Sequence, residues 1–302
     1  MRFPVNSIST RSAARTSECI LVFVFGLAGA AITAISVNFG GAPPVFASAI
    51  TGLCAVFVSF FFRLPSCASL AAFSGTFAGM GLVHVNSHKF AWVLMMSVVV
   101  AGVLLALHDL QQRHPKLGLS GVGGRLGCFA FAGFALFSVV ALRRFPALPL
   151  QSLEIQKIIW TFFGMVLGAT MTAEFRRCLP ADTADHNVMA SAIVGLVGSV
   201  FLICDAIFGQ TLALGIYAGS FVGMSTLAVV RPKFILTSCA IASIVLGAAN
   251  LFLQGWGGLL GSAAACGVVL AQHLQGEAGR DGRVLEETHR RMRSAEADDR
   301  PG

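Results

Sequence analysis

Long apolar runs alternate with short polar clusters from residue 18 to residue 273. Most runs are about 18 to 22 residues long, which suits an α-helix that crosses a hydrocarbon core of roughly 30 Å. The short alternating segments of a transmembrane β-barrel do not occur in the sequence. The pattern therefore predicts ten transmembrane helices, at 18–37, 44–62, 66–83, 90–108, 125–142, 157–174, 187–205, 210–229, 234–253 and 256–273.

The second half of the chain repeats the first half. Three segments recur in the same order: Val45–Leu53 as Val188–Leu196, Phe73–Met80 as Tyr217–Met224, and Gly121–Gly127 as Gly255–Gly261. The first pair is identical at seven of nine positions, and the three shifts are 143, 144 and 134 residues. A nearly constant shift indicates a duplicated unit. A weaker echo pairs Phe25-Gly26 with Phe163-Gly164, and Thr33-Ala34 with Thr172-Ala173.

Each repeated unit holds five predicted spans, which is an odd number. The second unit must then enter the membrane from the opposite side, as in inverted-topology transporters. We expect an all-α polytopic membrane protein of about ten transmembrane helices, arranged as two five-helix inverted-topology repeats. The expected divisions are a cytoplasmic segment at 1–17, repeats at 18–145 and 146–273, and a charged cytoplasmic tail at 274–302.

The basic residues set the expected orientation. With both termini inside, 17 of the 21 lysines and arginines fall on the cytoplasmic side, as the positive-inside rule requires. The three tryptophans, Trp92, Trp160 and Trp256, fall at the outer ends of their predicted spans, where membrane-interface anchors occur. We expect a multi-pass protein of a bacterial-type inner (plasma) membrane with both termini in the cytoplasm.

The Phe73 and Tyr217 segments each place an aromatic ring beside a hydroxyl near the middle of a span. Inversion would bring Phe77 and Phe221 together near the midplane, beside Thr76 and Ser220, to form an apolar constriction with hydrogen-bonding groups. Tyr217, the only tyrosine, stands where the first unit has phenylalanine. The full set predicted to line a solute path is Phe77, Phe221, Thr76, Ser220, Tyr217, Gly75, Gly219 and Asn250. The glycines also have the small-x-x-x-small spacing that packs helices together.

Two further features allow more than one interpretation. The Gly-x-Gly-Gly-x-x-Gly segments begin spans five and ten, where bare backbone N–H groups either bind an anion or let helices pack closely. Asp205, near the outer end of span seven, is either a coupling or gating group or an interfacial carboxylate.

Other site chemistry is missing from the sequence. The spans hold almost no deep charge, which disfavours transport driven through paired buried carboxylates. His84 and His88 bracket a predicted loop, and the eight cysteines lack a C-x-x-C pair, so we expect no metal, no cofactor and no catalytic residues. The net charge of +7 follows from the positive-inside bias and implies no nucleic acid.

The sequence predicts a transporter or channel for a small neutral or weakly anionic solute, with its path between the two repeats. The alternative is a membrane interaction subunit that transports nothing and whose glycine motifs only pack helices. Neither is an enzyme. The expected partners are the solute and the lipid bilayer, and a homo-oligomer is left open.

Overall fold

A computed structural model describes residues 7–81, 90–114, 122–142, 154–179, 185–203, 208–225, 234–253 and 255–274. Within these ranges the protein is entirely helical, without strands. The ten α-helices are α1 (Ser7–Asn38), α2 (Pro44–Phe61), α3 (Ser66–Gly79), α4 (Phe90–Arg113), α5 (Arg125–Leu142), α6 (Ile155–Cys178), α7 (Asp185–Ser199), α8 (Phe208–Gly223), α9 (Ile235–Leu253) and α10 (Leu259–Leu274). A 3-10 turn, Val200–Ile203, extends α7.

A helix occupies each of the ten predicted positions, so the prediction of an all-α fold is confirmed. In the described part of the chain, six helices are long and apolar enough to cross a membrane: the Arg15–Asn38 part of α1, α2, α4, α6, α7 with its 3-10 turn, and α9. Large apolar side chains also face outwards; Phe60 and Phe61 at the end of α2 are 78% and 81% exposed. Such a surface suits lipid better than water, and these helices indicate a multi-pass membrane protein.

Helices α3 and α8 are short and lie at the centre of the bundle. They have 14 and 16 residues, or about 21 and 24 Å of helix, and most of α3 is buried. Close contacts with α1 and α6 hold them there. A Cβ atom added to Gly75 would lie 2.2 Å from the Gly26 carbonyl oxygen, and one on Gly219 would lie 2.0 Å from the Met165 carbonyl oxygen. Only glycine permits such an approach of two backbones.

The same contacts correct part of the predicted sequence match between α1 and α6. Gly79 approaches Thr33, and Gly223 approaches Thr172; a Cβ added to either glycine would lie 2.9 Å from the Cβ of its threonine. This agrees with the predicted match of the two threonines. Gly26, however, makes the contact that Met165 makes in the other half, so its match with Gly164 is wrong by one residue.

The repeated glycine segments begin α5 and α10 as predicted, and they pack these helices together. A Cβ on Gly127 would lie 2.5 Å from the Cα of Gly261. Gly124 and Gly258, which precede the two helices, have φ angles of +87° and +83°. These left-handed conformations suit glycine because it has no Cβ to clash with the backbone.

Trp256 departs from the expected ring of interfacial anchors. It is only 6% exposed, and its ring packs against Phe131 and Phe134 with centroid distances of 5.5 and 6.0 Å. The reason is that α10 starts next to α3 and α5 rather than at the periphery. Trp256 is therefore part of the protein core, whereas Trp92 and Trp160 are partly exposed.

Several predicted features lie outside the described residues. They are Asp205, the His84 and His88 pair, and the tail from residue 275 onwards.

A glycine-to-alanine substitution should destabilise the protein where the glycine is tightly packed, but not where its Cβ position is open. Gly127→Ala should lower the thermal unfolding temperature in detergent, because the new Cβ would lie within 3 Å of α10 backbone. Gly102→Ala in α4 is the matched control, since nothing lies within 4 Å of its Cβ position and alanine favours a helix by about 0.5–1 kcal/mol over glycine. Equal stability of both variants, measured by fluorescence-detected size exclusion after heating, would contradict the tight α5–α10 contact.

Candidate functional site

Four aromatic rings meet between α3 and α8 at the centre of the bundle. Phe73 and Phe77 come from α3, and Tyr217 and Phe221 come from α8. Each pair has an i, i+4 spacing that places both rings on one helix face. The Phe77 and Phe221 centroids are 4.9 Å apart, and all pairwise centroid distances lie between 4.6 and 6.4 Å. Tilted and edge-to-face contacts of this kind are favourable. We call these four side chains the aromatic layer.

Two glycines make room for the Phe73 and Tyr217 rings of this layer. A Cβ on Gly52 in α2 would lie 2.4 Å from the Phe73 ring, and one on Gly195 in α7 would lie 2.8 Å from the Tyr217 ring. Both belong to the repeated Ala-Ser-Ala-x-x-Gly segment. That segment therefore positions the rings.

A chain of hydrogen bonds runs from Tyr217 back to α3. The Thr76 hydroxyl donates to the Phe73 carbonyl at 2.7 Å. Because each hydroxyl has one proton, Thr76 must then accept from Ser48 at 2.7 Å, and Ser48 must accept from the Tyr217 hydroxyl at 2.8 Å. The chain crosses between the halves and ends on the carbonyl of Phe73, the residue that matches Tyr217.

The second half has a shorter version of this chain. Ser191 donates to Ser220 at 2.6 Å, and Ser220 donates to the Tyr217 carbonyl at 2.7 Å. Phe73 has no hydroxyl to extend it. The Tyr217 hydroxyl is thus the group that makes the two networks different.

A cavity of about 210 Å³ opens on one side of the aromatic layer. It lies toward the end of the bundle at which α1 begins, and we call it the N-side cavity. Its apolar wall includes the Phe73, Phe77 and Phe221 rings with Met224, and its polar groups come from Arg125 and Asn187.

A second cavity of about 180 Å³ lies on the other side of the layer. This far-side cavity is lined by Phe77 and Met80 from α3 and by the start of α10, including Trp256. Its polar side chains are the amides Gln210 and Asn250. Phe77 therefore contributes to the walls of both cavities.

The two cavities are built largely from matching residues. The sequence shifts of the repeat pair most of the N-side wall with the far-side wall: Leu70 pairs with Leu214, Phe221 with Phe77, Met224 with Met80, Asn187 with Pro44, Gly124 with Gly258, and Arg125 with Leu259. Phe73 and Gly123 of the N-side cavity, and Gln210 and Asn250 of the far-side cavity, have no such match.

Only some of the residues predicted to line a path face a cavity in the structure. Phe77, Phe221 and Asn250 line a cavity. Thr76, Ser220 and Tyr217 are buried within the hydrogen-bond networks, behind the rings. Gly75 and Gly219 face α1 and α6, where neighbouring backbone fills their side-chain positions. Asp205 lies outside the described residues.

Sequence reasoning missed Arg125 and Asn187 as wall residues of the N-side cavity. A signal for Arg125 exists in the sequence, since it interrupts a glycine motif that has leucine at the matching position, Leu259. Asn187 comes just before the repeated α7 segment and matches Pro44.

Protein backbone fills the glycine segments that begin α5 and α10, which argues against direct anion binding by their backbone. A Cβ on Gly123 would lie 1.7 Å from the Phe221 carbonyl oxygen, and the Gly123 N–H donates to the Ser225 hydroxyl at 2.9 Å. In the other half, the Gly258 N–H donates to the Phe77 carbonyl at 3.1 Å. The segment before α5 therefore contacts α8, and the segment before α10 contacts α3.

Other polar contacts lie at the periphery of the bundle. At the N-side, Asp109 of α4 pairs with Arg15 of α1 and, at 2.7 Å, with Arg113. The Ser69 hydroxyl of α3 donates to the Asp185 carboxylate of α7. Among the described residues, no group of three or more His, Cys, Asp or Glu side chains could hold a metal ion.

Comparison of the chain with protein-family models, with curated proteins and with solved structures gives no match.

Removal of the Tyr217 hydroxyl tests the crossing network. Tyr217→Phe should lower the free energy of unfolding by about 1 kcal/mol, because the bond to Ser48 is lost while the ring remains. Ser97→Ala is a suitable control, since Ser97 bonds only to the carbonyl four residues earlier in its own helix. A Tyr217→Phe variant no less stable than Ser97→Ala, in urea or thermal unfolding, would contradict the network.

Proposed function

We propose that this protein is an integral membrane transporter or channel for a small solute, with the path between two inverted repeats near the bilayer midplane. One observation carries the proposal: two cavities with matching walls lie on opposite sides of one buried aromatic layer. Transporters with inverted repeats have their substrate sites at such a repeat interface.

The short central helices support this proposal. At roughly 21 and 24 Å, α3 and α8 are shorter than the ~30 Å hydrocarbon core. Cavities at both ends of the aromatic layer shorten the barrier that a solute must cross. We propose that α3, α5, α8 and α10 complete a set of ten spans in a bacterial-type inner membrane, with the N-side in the cytoplasm.

The aromatic layer acts as the closed gate in this proposal. Its ring-to-ring contacts are worth about 0.5–1.5 kcal/mol each, and its one hydroxyl, that of Tyr217, is already hydrogen-bonded. Rotation of a few rings would join the cavities without exposing a charge. An uncharged barrier of this kind favours a neutral or weakly anionic solute, moved as a channel or as a carrier that opens one cavity at a time.

A non-transporting interaction subunit is the rival function. The glycine contacts of α3 with α1, and of α5 with α10, favour it because they have a packing role in any case. Packing alone, however, requires no cavities on the two sides of a buried aromatic layer. Flux through folded protein separates the two functions.

Removing one ring from the aromatic layer should open the barrier. Phe77→Ala should raise the permeability of proteoliposomes to a small neutral solute such as glycerol by tenfold or more, because Phe77 is the wall that both cavities share. Stopped-flow light scattering measures the rate of volume recovery. Phe137→Ala is the control, since Phe137 is equally buried but packs against Trp92 and Phe134.

A folded Phe77→Ala protein as impermeable as Phe137→Ala would contradict a barrier at the aromatic layer.

Inversion makes a separate prediction about the linkers at matching places in the two halves. In a variant without native cysteines, Ala42→Cys between α1 and α2 and Leu179→Cys between α6 and α7 should react with an impermeant maleimide from opposite sides of the membrane. Labelling of intact and permeabilised cells reports the side. Reaction of both cysteines from the same side would exclude inverted repeats.

A further inference from the structure

Among the described residues, Arg125 is the one charged side chain in the wall of either of the two central cavities. It begins α5, is partly buried, and lines the N-side cavity together with Phe73 and Phe77. The matching position in the far-side cavity is Leu259. An ionised side chain beside a membrane cavity is costly to retain and usually marks a ligand pathway.

No described residue neutralises this charge. The ion pairs of the described chain involve Arg15, Arg113, Lys157 and Arg177, and the guanidinium of Arg176 donates to backbone carbonyls of α8. Arg125 takes part in none of these hydrogen bonds or ion pairs. Its guanidinium stays charged at all physiological pH values, and among the described residues no hydrogen bond or ion pair occupies its five N–H donors.

The rest of the N-side cavity suits a ligand with one charged end. Asn187 adds an amide on α7, which can donate to a headgroup oxygen. The Phe73, Phe77 and Phe221 rings, with Met224, provide an apolar surface for the remainder of the molecule. The described side chains that line the far-side cavity carry no charge.

We infer that the N-side cavity binds a small organic anion, whose carboxylate or sulfonate headgroup is held by Arg125 and Asn187 and whose apolar part rests on the aromatic layer. The inference rests on the proposed function and names the substrate class. Arg125 is the specificity residue of the N-side entrance, and the uncharged layer and far side make the bound anion easy to release.

An anionic lipid headgroup is another source of the same chemistry. Arg125 also lines a neighbouring cavity of about 240 Å³ between α1, α3, α4 and α5, together with His108 and Gln112. A soluble anion is the better match, because only the N-side cavity is lined both by Arg125 and by rings of the aromatic layer. Vesicles of an anionic lipid, compared with a soluble sulfonate, distinguish the two sources.

Chemical modification of arginine measures binding without any need for transport. Phenylglyoxal reacts with accessible guanidinium groups, and peptide mass spectrometry reports the modified fraction at each arginine. Ethanesulfonate should slow the modification of Arg125 in purified protein severalfold, whereas the uncharged propanamide should not. Arg63, exposed between α2 and α3, is the internal control and should react at the same rate with either compound.

Flux measurements test the same residue in a second way. In proteoliposomes, the ratio of ethanesulfonate to propanamide flux should fall about tenfold in Arg125→Gln, because a charge-assisted hydrogen bond is lost. Arg63→Gln removes the same charge away from the cavity and should leave the ratio unchanged.

The outcomes separate the inference from the proposed function. Protection of Arg125 without flux of any solute would support the anion site and contradict transport. An Arg125 that does not react, or that reacts equally fast with and without ethanesulfonate, would overturn the inference. Protection by phosphatidylglycerol vesicles but not by ethanesulfonate would also overturn it, in favour of a lipid site.

Discussion

Contact between backbone and backbone, possible only at glycine, positions the centre of this protein. Gly75 and Gly219 let α3 and α8 approach α1 and α6, and Gly127 lets α5 meet α10. Since helices in lipid gain little from burying apolar surface against each other, close packing of this kind supplies much of their attraction. It also fixes where the aromatic side chains project.

The glycine segments before α5 and α10 connect the two halves, again through backbone contacts. Gly123 packs on the end of α8, and the Gly258 N–H bonds to the Phe77 carbonyl of α3. Each half therefore holds the aromatic helix of the other. A movement of the α3 or α8 backbone at Phe77 or Phe221 would have to move these segments too, which couples the two central helices to the starts of α5 and α10.

The differences between the halves carry the specificity in this account. Duplication alone would give two equal cavities and two equal networks. Tyr217 extends one network across the halves, and Arg125 gives one cavity a charge where the other has leucine. A path with one charged entrance and an uncharged barrier discriminates between solutes mainly at that entrance.

Much of the fold could be predicted from the sequence, because apolar runs and a duplicated pattern are local signals. The proximity of Phe77 and Phe221 also followed from the repeat. The orientation of Gly75 and Gly219 did not, because helical periodicity alone does not say which neighbour a small residue faces. Trp256 and Arg125 were misjudged for a related reason: residues near predicted span ends look interfacial until the packing of α5 and α10 encloses them.

The most direct test of the central claim is the side of the membrane from which each cavity is reached. In a background without other cysteines, a small impermeant methanethiosulfonate reagent is added either outside or inside sealed proteoliposomes of defined orientation. The variants are Met224→Cys in the N-side cavity, Met80→Cys in the far-side cavity and Phe137→Cys as the control. If the aromatic layer separates two solvent-reachable cavities, Met224→Cys and Met80→Cys react from opposite sides and Phe137→Cys from neither. Reaction of both cavity cysteines from the same side, or of neither, would contradict the account.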